Sequence, residues 1–143
     1  VLVPFFFEED QLENAISLEE TEDLSFKNKT YKIDFETGEI VSNFIDETEA
    51  TLQFIIKTIK TQRDKYLIYS SDVGSELSYL FNESYSQEYL ELEVPRLIEE
   101  ALLIDDRILD INDFVILKVF DELHISFSVL TDTQEEISVE VTL

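Results

Sequence analysis

Between Leu123 and Leu143 apolar side chains fall on every second position in two successive runs. Leu123, Ile125, Phe127 and Val129 alternate with His124, Ser126 and Ser128. After Asp132-Thr-Gln-Glu135, the set Ile137, Val139, Val141 and Leu143 alternates with Ser138, Glu140 and Thr142. A period of two sends alternate side chains to opposite faces of a strand, so each run is a strand with one apolar face and one wet face. Register is then strongly specified, because a one-residue slip would expose the whole apolar set. Something else in the chain must cover that face.

Two segments have the pattern to do so. Leu52, Ile55, Ile56 and Ile59 recur at helical spacing, preceded by Asp46 and Glu49 at the spacing of an acid-type capping box, with Lys57 and Lys60 near the carboxyl end. Leu90, Val94, Leu97, Ile98, Ala101 and Leu102 mark one face of a second helix over residues 86–103. Pro95 interrupts it, since proline cannot donate to the carbonyl of Glu91. Either the helix bends there or two short helices meet, and the unbroken apolar phase favours a bend. Tyr31, Ile33 and Phe35 alternate with Lys32 and Asp34, and a turn at Glu36-Thr-Gly38-Glu39 leads to a return strand from Ile40 and Val41. Tyr66-Leu-Ile-Tyr-Ser70 reads as a short strand or extended segment, residues 75–81 as a brief helical turn, and residues 114–120 as a central strand covered on both faces. Asp121-Glu122 offers the tight connection that follows. The expected fold is α+β: a single domain over residues 26–143, with a mixed or antiparallel sheet and two main helices on one side. Residues 1–25 form an acidic extended arm before it.

Charge narrows the function classes. The 143 residues carry 33 Asp and Glu against ten Lys and Arg, a formal charge of -23. Nucleic-acid binding and anionic membrane surfaces both need the opposite sign. With no cysteine there is no disulfide, thiolate nucleophile or cysteine metal cage. No apolar run approaches the roughly 20 residues that span a bilayer, and Val1 to Phe7 lacks the basic flank of a signal peptide. Only Gly38 and Gly74 are glycines, so no glycine-rich loop cradles a phosphate. All ten basic residues lie between Lys27 and Lys118, while residues 1–25 hold eight acidic groups. In the arm, Leu2 and Phe5, Phe6 and Phe7 form an apolar plug before Glu8-Glu-Asp10. It either folds over its own domain or orders on a neighbouring subunit.

Catalytic readings find little support. Glycoside hydrolysis requires two opposed carboxyls, one made unusually basic. Glu99, Glu100, Asp105 and Asp106 are candidates for that only in the weakest sense, and no Trp is present to stack a sugar. His124 is the single histidine and lies on the polar face of its strand, without a nucleophile-elbow pattern or further zinc ligands. Asp105, Asp106, Asp110, Asn112 and Asp113 make an oxygen-rich cluster, but the calcium-loop position that needs glycine is Val115. No catalytic, metal or cofactor site is therefore expected. Arg107, framed by Asp105 and Asp106, presents a planar fork of five donors that suits either an intrachain brace or a subunit contact.

Several blocks taken together carry a family resemblance: Tyr31-Lys-Ile-Asp-Phe-Glu-Thr-Gly-Glu-Ile40, Lys65-Tyr-Leu-Ile-Tyr-Ser70, Gly74-Ser-Glu-Leu77, Glu99-Glu-Ala-Leu-Leu103 and Asp105-Asp-Arg-Ile108. From about Thr30 to the C-terminus the chain resembles a tail-protein family of defective Bacillus prophages and related phages. That family is similar to the baseplate wedge, or sheath-initiator, proteins of contractile phage tails. The broader family carries Glu-Pro-Arg after a long helix; here Asp105-Asp106-Arg107 keeps the Arg, shortens the Glu and replaces the Pro. The resemblance implies a wedge-like α+β domain acting as a structural virion component, in about six copies per baseplate. Its partners would be hub and wedge proteins and the tail sheath protein. It would be made in the bacterial host cytoplasm and located in the tail baseplate. Some relatives are labelled lysozymes, a label these residues do not independently support. The candidate interaction residues are Arg107 with Asp105 and Asp106, Phe5, Phe6 and Phe7 of the arm, and Ile137, Val139 and Val141 of the last strand, whose edge suits β-augmentation. An acidic protein-binding adaptor outside a tail is the alternative, and a glycan hydrolase the distant one.

Overall fold

The computed structural model describes residues 29–81 and 84–143. The expected arm over residues 1–25, including Phe5, Phe6 and Phe7, lies outside the described residues. The order is β1 (Lys29–Ile33), β2 (Ile40–Asp46), α1 (Glu47–Lys60), a 3-10 turn (Leu77–Phe81), α2 (Gln87–Leu102), β3 (Ile108–Val119), β4 (Glu122–Thr131) and β5 (Glu136–Thr142). β1 and β2 form a hairpin sheet of their own, and β3-β4-β5 form the main antiparallel sheet in that order.

Both C-terminal strands obey their alternation. Leu123, Ile125, Phe127 and Val129 are buried, as are Ile137, Val139 and Val141. Against that face packs α2, whose buried residues are the six that its spacing selects, Leu90, Val94, Leu97, Ile98, Ala101 and Leu102. Ser86 caps α2 by accepting from the Tyr89 N–H, and the helix runs through Pro95 as one element. Pro95 therefore sits within a helix held by its packing stripe, which outweighs the lost bond to Glu91. Among the described residues, neither helix is long and apolar enough to cross a membrane.

Several readings change. Residues 114–120 do not form the central strand: β3 is an edge, and β4 lies in the middle. The apolar residues on both its faces have different uses. Ile116 enters the core, whereas Val115, Leu117 and Val119 lie exposed on the outer face. The connecting turn is Phe120-Asp121, since Val119 pairs with Glu122. Tyr66 to Ser70 is no strand but a series of turns, with its apolar side chains in solvent. The hairpin forms where expected, with Gly38 at φ 74° in its turn, yet Tyr31 and Phe35 stay exposed. Tyr31 stacks on Phe44 with ring centroids 4.4 Å apart.

On α1, Ile55 and Ile59 enter the core while Leu52 and Ile56 are only partly buried. Asp46 stands at the N-cap but makes no side-chain cap hydrogen bond. Glu47 at φ 48° gives the chain a left-handed entry that does not suit a capping box. The polar Gln53 is buried because it does the sheet's work: its amide donates to the Tyr31 carbonyl at 2.8 Å and accepts from the Ile33 N–H at 2.7 Å. This fixes the hairpin to α1.

Candidate functional site

Where α2 ends, the chain turns back into β3 through Asp105-Asp106-Arg107. The Arg107 Nε donates to Asp105 Oδ1 and Nη2 donates to Oδ2, both at 2.8 Å, while the Arg107 backbone N–H reaches Oδ1 at 2.9 Å. One carboxylate thus receives a bidentate fork and a backbone donor, an arrangement only arginine supplies. The hydrogen bonds from Arg107 hold the Asp105 carboxyl below its ordinary range, against the opposing effect of burial. The guanidinium also lies 4.6 Å from the centroid of the Phe54 ring on α1, a cation–π contact. The Arg107 carbonyl accepts from the Asp132 N–H at 2.9 Å. Arg107 therefore ties together the exit of α2, the side of α1 and the β4–β5 turn. It faces a hollow of about 190 Å³ shared with Thr30, Ile33, Gln53 and Lys57. Asp106, by contrast, is exposed.

At the other margin of the domain stands β5. Its register with β4 is unbroken from His124↔Thr142 to Leu130↔Glu136. Leu123 and Leu143 exchange both backbone hydrogen bonds at 3.0 Å, and the Thr131 N–H donates to the Glu135 carbonyl. Antiparallel pairs alternate between bonded and non-bonded, so these two ends set the phase of the whole ladder. The N–H and C=O groups of Glu136, Ser138, Glu140 and Thr142 consequently point away from β4. Among the described residues no strand pairs with that edge. Ile137, Val139 and Val141 have their side chains in the domain's own core, so what β5 offers outward is backbone and the polar set between them.

The opposite edge differs. Along β3 the register shifts between Ile108 and Asp110 and again between Asn112 and Val115, and Asp113 adopts φ 57°. Extra residues on one strand bend it and interrupt its outward row of donors, a common defence of an edge. The sheet thus has one broken edge and one regular edge.

Two of the four candidate carboxylates are held in ion pairs. Glu100 pairs with Arg63 at 3.0 Å and with Arg96 at 3.3 Å, and Asp105 is held by Arg107. His124 sits on the outer face between Glu122, at 3.2 Å, and Thr142, at 3.1 Å. Among the described residues no group of three or more His, Asp or Glu could hold a metal ion. Two residues escaped the sequence reading. Gln53 is marked only as a polar residue inside an apolar helix, and Arg63 gives no local signal because its acidic partners lie 13 and 37 residues away.

These features define the class: an acidic α+β domain with a braced arginine at the end of its second helix and, among the described residues, one regular sheet edge that no strand pairs. The model of the contractile injection system sheath initiator family matches residues 29–134, and the chain belongs to that family. It is similar to the phage-like element PBSX protein XkdS of Bacillus subtilis (strain 168), at 47% identity over 106 residues, 73% of this chain and 75% of that protein. Its general role is that of a structural tail component. The family match takes in Asp105, Asp106 and Arg107 and ends before β5 begins.

Proposed function

We propose that this protein is the baseplate component on which the first ring of tail sheath is built, with β5 as the edge that receives a sheath strand. The observation that carries the reading is the contrast between the edges: seven consecutive regular pairs place outward donors at Ser138 and Glu140, whereas β3 is twice bulged. An incoming strand gains main-chain hydrogen bonds along β5 without disturbing the core beneath it. The Arg107 end, with Asp105 and Asp106, is the contact to wedge and hub proteins in this account. Six copies around the hub at the end of the tail tube would present six such edges. The arm residues Phe5, Phe6 and Phe7 would add a contact to a neighbouring subunit.

Glu140→Pro tests the edge. Its N–H faces away from β4, so proline removes the outward donor while the ladder to β4 keeps its own bonds. The variant should remain folded by circular dichroism and enter baseplates, but fail to nucleate sheath on them. Normal sheath assembly on Glu140→Pro baseplates would overturn the assignment of this edge.

A further inference from the structure

Away from Arg107, this domain carries an exposed apolar loop tip and, where β3 turns into β4, a cleft large enough to take it. The first is the loop over residues 61–75. Its base is closed by hydrogen bonds from the Ser75 N–H to the Thr61 carbonyl at 2.9 Å and from the Arg63 N–H to the Ser75 carbonyl at 3.0 Å. The buried Ser75 hydroxyl donates to the Ile59 carbonyl at 2.8 Å. Gly74 makes this closure possible: it holds φ 93°, and a Cβ there would meet the Thr61 carbonyl oxygen at 2.6 Å. At the tip the Tyr69 N–H donates to the Tyr66 carbonyl at 3.1 Å, so Leu67 and Ile68 are the central residues of a turn. They are 104% and 85% exposed. A loop with a fixed base and an apolar tip is an ordered protrusion that loses little freedom when it docks.

The second feature is a cleft of about 550 Å³ lined by Leu80, Phe81, Leu90, Phe120 and Leu123. The eight side-chain carbons of a Leu–Ile pair, each taken at about the volume of a water molecule, need roughly 240 Å³, so the cleft has room for both side chains. Phe120 at its mouth is 93% exposed and holds φ 53°. That backbone is costly for a bulky residue, and such strain collects at functional positions. Charges match as well. Lys65 lies beside the tip, 5.6 Å from the Tyr66 ring centroid, and Asp121 and Glu122 line the cleft. Asp64 next to Lys65 finds its counterpart in the cleft's Lys118.

We propose that the Leu67–Ile68 tip of one copy enters the Phe120 cleft of a second copy. A knob and a hole at different places on one surface join copies without any third protein. This contact does not depend on the sheath reading of β5. Its salt dependence follows from the net charge: copies of charge -23 repel, and screening that repulsion outweighs the weakening of the few exposed charge pairs at the rim, while apolar contact stays intact.

Sedimentation equilibrium of the full chain tests this. Wild type should self-associate more strongly as salt rises from about 0.01 M, where charges act over roughly 30 Å, to about 1 M, where the range is roughly 3 Å. Leu67→Asp with Ile68→Asp removes the knob. Phe120→Asp charges the mouth of the hole, and Asp accepts a left-handed backbone better than Phe. Each variant alone should lose association by about tenfold or more. A mixture of the two should recover heterodimers, because one intact knob then meets one intact hole. A wild type that stays monomeric at high salt, or a mixture that associates no better than its components, overturns the proposal. Association that survives either variant alone does the same.

Discussion

Replacing Arg107 with Lys keeps the charge and removes the fork. Lysine can reach one oxygen of Asp105 but cannot donate to Oδ1 and Oδ2 in parallel, as Arg107 does at 2.8 Å to each. Losing a hydrogen bond to a charged partner costs about 1.5–3 kcal/mol. The two side chains retain 29% and 21% of their exposure, so solvent screening lowers the expected cost to about 1–2 kcal/mol. A domain of this size would melt roughly 3–8 °C lower. The discriminating assay is a double-mutant cycle of Arg107→Lys and Asp105→Asn, read by urea denaturation. Coupling of about 1–2 kcal/mol is expected; single effects that add to within about 0.3–0.5 kcal/mol would refute the brace. The cycle also has a pH signature. Asp105 is held below its ordinary value of 3.8, chiefly by the Arg107 hydrogen bonds. A depressed carboxyl contributes stability that is present above its unfolded value and is lost as pH falls through the folded one. Arg107, itself shifted upward by Asp105, stays charged throughout. The stability gap between wild type and Arg107→Lys should therefore hold above about pH 4 and close below it.

Gly74→Ala should cost at least about 2 kcal/mol, since strain at φ 93° is joined by a backbone clash at 2.6 Å, whereas Gly38→Ala, at φ 74° with open space, should cost about 1 kcal/mol; equal melting temperatures for the two variants would contradict this. Phe120→Asn should leave the isolated domain as stable or raise it by about 0.5–1 kcal/mol, because an exposed ring is exchanged for a residue that tolerates φ 53°; a clear loss in thermal unfolding would place Phe120 in the folding core. Deleting residues 1–24 should leave circular dichroism of the domain unchanged and weaken binding to a wedge or sheath neighbour, with unchanged affinity counting against a role for Phe5, Phe6 and Phe7.

What the sequence revealed depended on how local the cause was. The α2 stripe and the β4 and β5 alternation are fixed by spacing within one element, and each predicted position of these is buried except Leu143, which is partly buried. β3 differs because apolar residues on both faces signify either a central strand or an edge with an apolar outer side. Only pairing with β4, which places Asp113 and Phe114 opposite Phe127, decides between them. Tyr66-Leu-Ile-Tyr has the composition of a strand, but Gly74 and Ser75 close the chain on itself before any partner strand arrives. At the candidate site, Arg107 was legible from its acidic frame, and Asp105 proved to be its partner. The Phe54 contact and the Gln53 clamp were not legible, since they join segments separated by 53 and 22 residues.

Amide hydrogen exchange at Ser138 and Glu140, measured on the full chain alone and with the sheath protein of the same tail, addresses the central claim most directly. Both N–H groups point away from β4, so they should exchange rapidly in the free protein and slow markedly when a sheath strand pairs with β5. Protection appearing instead along the outer edge of β3, or no change at Ser138 and Glu140 in assembled tails, would contradict the account.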